Sequence, residues 1–488
     1  MSENKSNEQK DVGDSSTRRN FLKSTAIAAA AFTIVPRHVL GGSGFLAPSD
    51  TLYVAGVGGG GKGYSNLKNI RESGKAVISH LCDVDDRRSA KSREENPKAK
   101  YYKDWRELLD KEHKKFDAVC VSTPDHNHAV VALAAMQRKK HVFVEKPLTH
   151  DIYEARVLRQ AAQKYKVVTQ MGNQGSSSDG LRKMQEWFEA GALGNVHTVY
   201  CWTDRPVWPQ GIAWSQQVAQ VPKELDWNLW LGTAPMKDYV DKLVPFNWRG
   251  WWDYGTGALG DMGCHLLDAP CSVLGLQHAT EVEASVGTVY VDEFKRGYFP
   301  ESCPPSSHVI LTFPETEKNK SKLKLHWMDG GIKPERPEEM DANDDFGKGN
   351  GILFMGEKGK MFATTYNNNA RLLPASRNQE FNVAETKMRV PGGTAGHYQQ
   401  WVEACIAGFG KKELSSPFET AAQLTETLLM ANLAIRAHDV QRLVNGKVTY
   451  PGRSIKLLWD NENMRVTNFD EVNQFVKREY REGFKLSV

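Results

Sequence analysis

Asp261, His265 and Asp268, in the stretch GALGDMGCHLLD, stand four and three positions apart. On a helix that spacing lines the three side chains along one face. Such a face suits a divalent metal site, an acid/base pair, or the polar edge of a buried helix. A second chemical cluster lies far upstream. The run GVGGGGKG supplies Gly56, Gly58, Gly59, Gly60 and Gly61, and Asp83 follows Gly61 by 22 residues. Glycines are needed where a backbone approaches a pyrophosphate at a helix N-terminus, and a carboxylate at the next strand end can hold ribose hydroxyls.

These residues need elements to hold them. From Thr51 the sequence alternates short apolar runs (TLYVAGV, AVISHLCD, FDAVCVS, HVFVEKP, VVTQ) with stretches of helical spacing. Strands alternating with helices of this length predict a parallel, doubly wound sheet. The glycines fall between its first strand and first helix, the context a dinucleotide fingerprint requires. Asp83 would repel a 2′-phosphate, so the expected cofactor is NAD rather than NADP, although Arg87 and Arg88 lie close by. STPDHNH ends the third clear strand, where ligands of such sheets lie. Thr123, Pro124, His126 and His128 are therefore candidates to line the cofactor, with a capping or solvated role as the alternative for the two histidines.

Glu145-Lys146-Pro147, within VEKPLT, follows the glycine fingerprint at a strand end and precedes a helix. With Asp-x-x-x-His at Asp261 and His265, it resembles the Gfo/Idh/MocA oxidoreductases over roughly residues 51–440. MGNQG, WNLWLG and GEKGKM look like the signal-bearing branch. The resemblance implies a Rossmann-type doubly wound parallel sheet, followed by an α+β domain with a large open, mostly antiparallel sheet. It also places Lys146 and Glu145 beside the cofactor, with a proline that is often cis. Oxidation of a secondary alcohol needs a base for the hydroxyl proton, and His265 suits that role. Lys146 can favour the developing alkoxide, and Asp261 can orient substrate or steady an imidazolium. A metal would repel Lys146, so no metal is expected and Asp268 is read as a supporting carboxylate.

Eight of the thirteen tryptophans fall between residues 202 and 252, mixed with polar side chains. Aromatic faces beside hydroxyl-binding groups suit a pyranose. Arg249, Trp251 and Trp252 immediately precede the Asp261/His265 segment and are the candidate substrate contacts, together with Asn173 and Gln174 of MGNQG. Two late helical stretches, HYQQWVEACIAGF and ETAAQLTETLLMANLAIRAHDV, are expected to pack back on the first domain.

At the N-terminus TRRNFLK leads into 12 apolar residues, Ser24–Val35. That is too short to span a bilayer and reads as a twin-arginine export signal. The expected organisation is a signal over 1–35, a Gly/Pro-rich arm over 36–50, an NAD-binding domain over 51–172 and a substrate and oligomerisation domain over 173–488. The formal charge of +4 gives no case for nucleic acid. Seven cysteines without a Cys-x-x-Cys pair indicate neither a zinc ribbon nor a disulfide framework.

The expectation is a periplasmic enzyme with no membrane anchor in its mature form, a homo-oligomer (dimer or tetramer). It would move hydride between a sugar or glycoside ring hydroxyl, with C3 a candidate, and tightly held NAD(H). An NAD-dependent glycosidase using transient C3 oxidation is the alternative. A non-catalytic sugar-binding protein on the same fold is the second.

Overall fold

Alternating apolar and helical segments build the first sheet. Its strands are β1 (Leu52–Val57), β2 (Ala76–Cys82), β3 (Lys100–Tyr102), β4 (Ala118–Val121), β5 (His141–Val144) and β6 (Thr169–Met171). They lie in the order β3-β2-β1-β4-β5-β6, and every pairing is parallel. Helices α1 (Lys62–Glu72), α2 (Asp86–Glu95), α3 (Trp105–Glu112), α4 (His128–Gln137) and α5 (Ile152–Tyr165) connect them. The order reverses between β1 and β4, so the carboxyl ends of these strands open a crevice there. β4 is buried at every position, as a central strand covered on both faces must be. The short β3 carries too few residues for a periodic signal, and the sequence pattern did not show it.

The computed structural model describes residues 50–488, with Leu52–Val488 as one compact unit. The export signal and nearly all of the arm expected at the N-terminus lie outside the described residues. Helix α6 (Asp179–Glu189) leads from the first sheet to a second, nine-stranded one. Its strands are β7 (Val196–Trp202), β8 (Glu281–Val286), β9 (Ser307–Phe313), β10 (Leu323–Met328), β11 (Gly351–Gly356), β12 (Lys360–Ala363), β13 (Arg371–Leu373), β14 (Leu457–Asp460) and β15 (Arg465–Val466). They run in the order β13-β12-β11-β7-β10-β9-β8-β14-β15. Only β7 and β10 pair in parallel, so the sheet is mixed and mostly antiparallel.

Between β7 and β8 the chain forms α7 (Trp227–Leu231), α8 (Gly257–Leu266) and α9 (Asp268–Leu274). Asp261 and His265 share α8, whereas Asp268 opens α9. The three residues thus do not lie on one continuous helix, as their spacing had suggested. Pro270 has no N–H to offer the Leu266 carbonyl, which breaks the helical ladder there. That carbonyl instead accepts a hydrogen bond from Cys201 Sγ at 3.4 Å.

Two late helices join the layers. In α10 (Gly393–Ala407), Tyr398, Trp401, Val402 and Cys405 belong to the same core cluster as Leu52, Val54 and Phe143 of the first sheet. Helix α11 (Phe418–Ala437) lies against α5, α8 and β8 and is buried along most of its length. No helix among the described residues is long and apolar enough to cross a membrane.

Candidate active site

At the carboxyl ends of β1 and β4 the chain encloses a cavity of about 610 Å³. One end is built by the glycine turn. Gly58 has φ +87°, and a Cβ there would lie 2.5 Å from the Ser122 carbonyl oxygen. Gly63 is tighter still, since its Cβ would meet the Gly58 oxygen at 2.0 Å. It is Gly63 that lets α1 approach the turn, a role the sequence motif had not assigned. Gly58, Gly60 and Gly61 line the cavity, and the α1 N-terminus has no side-chain cap. This is a side-chain-free cradle for a phosphate.

Asp83 also lines the cavity. Its carboxylate accepts the Gly59 N–H at 2.8 Å and the Asp85 N–H at 2.9 Å, which ties the glycine turn to the end of β2. Burial pushes this carboxyl up to about 6, against those two hydrogen bonds. Arg87 is taken up by Asp85, at 2.9 and 2.7 Å, while Arg88 remains in the cavity wall.

At the other end Lys146 and α8 meet. Lys146 Nζ donates to Asp261 Oδ1 at 2.9 Å and to the Asp261 carbonyl at 2.6 Å. Arg249 Nε stands 3.3 Å from the same Oδ1. Burial opposes charge on Asp261 and on Lys146. It is outweighed at Asp261, where Lys146 and then Arg249 pull the carboxyl down to about 2. It is outweighed at Lys146 too, whose ammonium is held above its usual range by Asp261. The Lys146–Pro147 peptide is cis.

His265 Nδ1 lies 2.8 Å from Asn173 Oδ1. Asn173 Nδ2 donates to the Cys264 carbonyl at 2.9 Å and to Ser176 Oγ at 3.1 Å, which fixes its oxygen toward the histidine. Nδ1 must then carry the proton, and Nε2 keeps its lone pair. Burial, with Lys146 beside it, lowers His265 to about 3, so the ring is neutral at physiological pH.

The site therefore combines a fixed ammonium, a paired carboxylate and a neutral imidazole with a free acceptor. Residues 52–173 match the sequence model of an oxidoreductase family's NAD-binding Rossmann fold, and residues 194–294 match that of the family's C-terminal alpha/beta domain. Over these two regions the chain matches the Gfo/Idh/MocA oxidoreductase family.

Among curated relatives, a myo-inositol 2-dehydrogenase of Thermotoga maritima is 28% identical over 143 residues, which are 29% of this chain and 42% of that protein. A glycosyl hydrolase family 109 protein of Shewanella baltica is 30% identical over 161 residues, covering 28% of this chain and 35% of its own length. The chain thus spans less than half of either relative. A solved levoglucosan dehydrogenase in complex with NADH shares the fold at 16% identity. Its TM-score is 0.53, with 80% of this chain and 98% of that chain covered.

The remaining candidates divide between cavity and support. Thr123, Pro124, Glu145, Gln174 and Arg249 line the cavity. Gly56 and Gly59 do not: a Cβ on Gly56 would strike Leu67 at 2.7 Å, so this glycine serves strand–helix packing. His126 is buried between the carbonyls of Tyr254 (3.3 Å) and Trp230 (3.1 Å). His128 bridges the carbonyls of Thr123 and Pro147, both at 2.8 Å. Both histidines pin the loops that form the cavity and do not line it. Asn173 is fully buried and holds His265; it is a positioning residue, not a substrate contact.

Trp251 and Trp252 are also corrected. Extended Trp251 bridges Ser302 in antiparallel fashion, with Trp252 N–H donating to the Glu301 carbonyl and Cys303 N–H to that of Gly250. Successive side chains of extended backbone point to opposite sides. Trp251 packs edge-on against Trp214 and Trp252 enters the core. The aromatic wall is supplied instead by Trp208, Trp230, Phe246 and Trp248, with Arg249 stacked 4.3 Å above the Trp248 ring.

Asp268 accepts from Ser176 Oγ at 2.8 Å and ends the chain that starts at His265. Among the described residues no group of three or more His, Cys, Asp or Glu is arranged to hold a metal ion.

Among the cavity residues that the sequence reading did not single out are Lys62 and Tyr366. Lys62 donates to Asn66 Oδ1 and Tyr398 OH, each at 2.7 Å, and stands 3.3 Å from Glu145 Oε1. Its position inside the glycine run was the one signal for it. Tyr366, from the turn after β12, meets the His265 ring edge-on at 4.8 Å with φ +62°. Nothing in the local sequence marks it.

Proposed function

We propose that this chain is an exported, NAD-dependent oxidoreductase acting on a ring hydroxyl of a sugar or glycoside, with C3 a candidate position. The observation that carries the reading is the convergence of Lys146, Asp261 and His265 on the cavity that also holds the glycine cradle and Asp83. The family and the named relatives support the sugar and the dinucleotide, and the twin-arginine motif supports export. The bare N-terminus of α1 fits a pyrophosphate, and Asp83 fits the adenosine ribose.

When bound there, NAD supplies the nicotinamide carbon that accepts or returns hydride. The protein's own residues do the rest. Lys146 donates to the reacting hydroxyl oxygen and stabilises its negative charge as the proton leaves. His265 receives that proton at Nε2, and Asn173 keeps the required tautomer. Asp261 holds Lys146 charged and in place. The aromatic wall takes the apolar face of the sugar ring, and Arg249 meets its oxygens.

Incubating the full chain with NAD and a panel of glycosides should yield keto-sugars and reduced nicotinamide, and inactivity on the whole panel would defeat the proposal. The likeness to glycosyl hydrolase family 109 favours a second reading, in which transient oxidation at C3 acidifies the C2 proton and the aglycone leaves. Release of aglycone from an aryl glycoside without net NADH distinguishes it. Ligand binding without turnover, unchanged in Lys146→Ala and His265→Ala, would instead identify a sugar-binding protein.

The proposal of a homo-oligomer is motivated by the Gly/Pro-rich sequence at 36–50, and light scattering of the purified chain tests it.

A further inference from the structure

A separate cavity of about 350 Å³ lies between the C-terminal turn of α11 and the turn at 470–475. Arg436, in that last helical turn, is one of its walls. The guanidinium carbon sits 3.6 Å from the centre of the Phe475 ring and 5.3 Å from that of Trp252. Both rings lie within cation–π reach of the guanidinium. Burial pulls Arg436 down to about 10, well below an ordinary guanidinium.

Arg436 is only partly buried, and its guanidinium carries five N–H donors that face the cavity or its walls. Among the described residues the Arg436 side chain makes neither a hydrogen bond nor an ion pair. Three of the acids around it are already engaged. Glu471 accepts from Arg442 Nε at 3.0 Å, and Asp253 pairs with Lys237 at 2.7 Å. Asp151 accepts the backbone N–H groups of Glu154 (2.9 Å) and Arg478 (3.3 Å). Asp439 lines the same cavity, with the charge of Arg453 acting on it. The amides of Gln441 and Gln474, at the rim, donate to Tyr450 OH and to the Glu471 carbonyl. The negative end of the α11 dipole favours a cation at this position but offers the fork no acceptor.

We propose that this cavity is a second binding site, for a small oxyanion, whose carboxylate or phosphate group is received by the Arg436 fork between Phe475 and Trp252. A guanidinium held against an aromatic ring is pre-organised for a two-oxygen partner. The volume falls within the range of small-molecule sites. The site is walled off from the Lys146 cavity and is independent of the reaction proposed there.

The test uses the full chain with saturating NAD, so that the glycine cradle is not open to phosphate. Inorganic phosphate and acetate are titrated separately at fixed ionic strength, with glucose as the uncharged control, and tryptophan fluorescence is followed because Trp252 forms part of the wall. Expected is a saturable change with at least one anion and none with glucose. Which anion saturates tells phosphate from carboxylate. Arg436→Gln should weaken binding at least tenfold, with Arg436→Lys in between. Gln474→Trp, which narrows the rim and leaves the cation in place, should weaken it as well and guards against misfolding of the first variant. The absence of a saturable response to either anion, or an unchanged midpoint in both Arg436→Gln and Gln474→Trp, would overturn the proposal.

Discussion

His265 is the residue on which the chemistry turns, because its two ring nitrogens have different tasks. The nitrogen facing Asn173 is a donor, so the other is the acceptor, and burial keeps the ring neutral. Replacement by Asn should lower kcat roughly 10²–10⁴-fold, the usual scale for a lost general base. Steady-state kinetics at saturating NAD would show it. A folded-state value near 3 also means that kcat/KM does not fall through pH 6.5 on account of this group; a profile breaking there would contradict the tautomer argument. Stability carries the same signature. Between about pH 3 and 6.5 the unfolded chain binds a proton at this histidine and the folded chain does not. The contribution is complete above pH 6.5 and is lost on acidification. Relative to His265→Asn, the native protein should lose up to about 1.4 kcal/mol per pH unit below 6.5, measured by urea unfolding of both.

At the scale of elements, two contacts set the site. The first is α1 against the turn before it. Gly63→Ala places a methyl carbon against the Gly58 carbonyl, and the turn must open to admit it. The expected result is an NAD dissociation constant raised at least tenfold, read by fluorescence titration. The second is the segment after β6, which carries Asn173 to α8. Asn173→Leu removes the acceptor that orients His265. A hydrogen bond of this kind is worth about 1 kcal/mol, so kcat should drop about five- to tenfold while NAD affinity holds. A loss of NAD binding instead would show that Asn173 acts on the fold and not on the histidine.

At the scale of the whole molecule, the nucleotide domain is not self-contained. One face of its sheet is closed by α10, whose Trp401 is fully buried against residues of β1 and β5. Truncating Trp401 to Ala should cost about 3–5 kcal/mol and lower the cooperative unfolding transition, measured by denaturant titration. For the same reason residues 52–173 expressed alone should lack a sharp near-ultraviolet circular dichroism spectrum. A native-like spectrum from that fragment would show that α10 only covers a sheet already stable.

The alternation of strands and helices and the glycine turn with Asp83 were legible in the sequence, from local periodicity and short spacing, while the family resemblance was what brought Lys146 together with Asp261 and His265. The family and its two-layer organisation followed from the same residues. What the sequence left open was decided by contacts between distant segments. Asn173 and Gln174 are neighbours in the chain, yet only Gln174 reaches the cavity, because the partners of Asn173 come from α8 some 91 and 92 positions away. Trp251 and Trp252 looked poised for substrate until their pairing with residues 301–303 turned both into the interior. Lys62, Tyr366 and the unpaired Arg436 gain their meaning from Glu145, His265 and Phe475, each brought near by the fold. Residue types and short spacings fix which chemistry is available. Which side chains face the cavity is set by long-range packing, and that is a property of the folded chain.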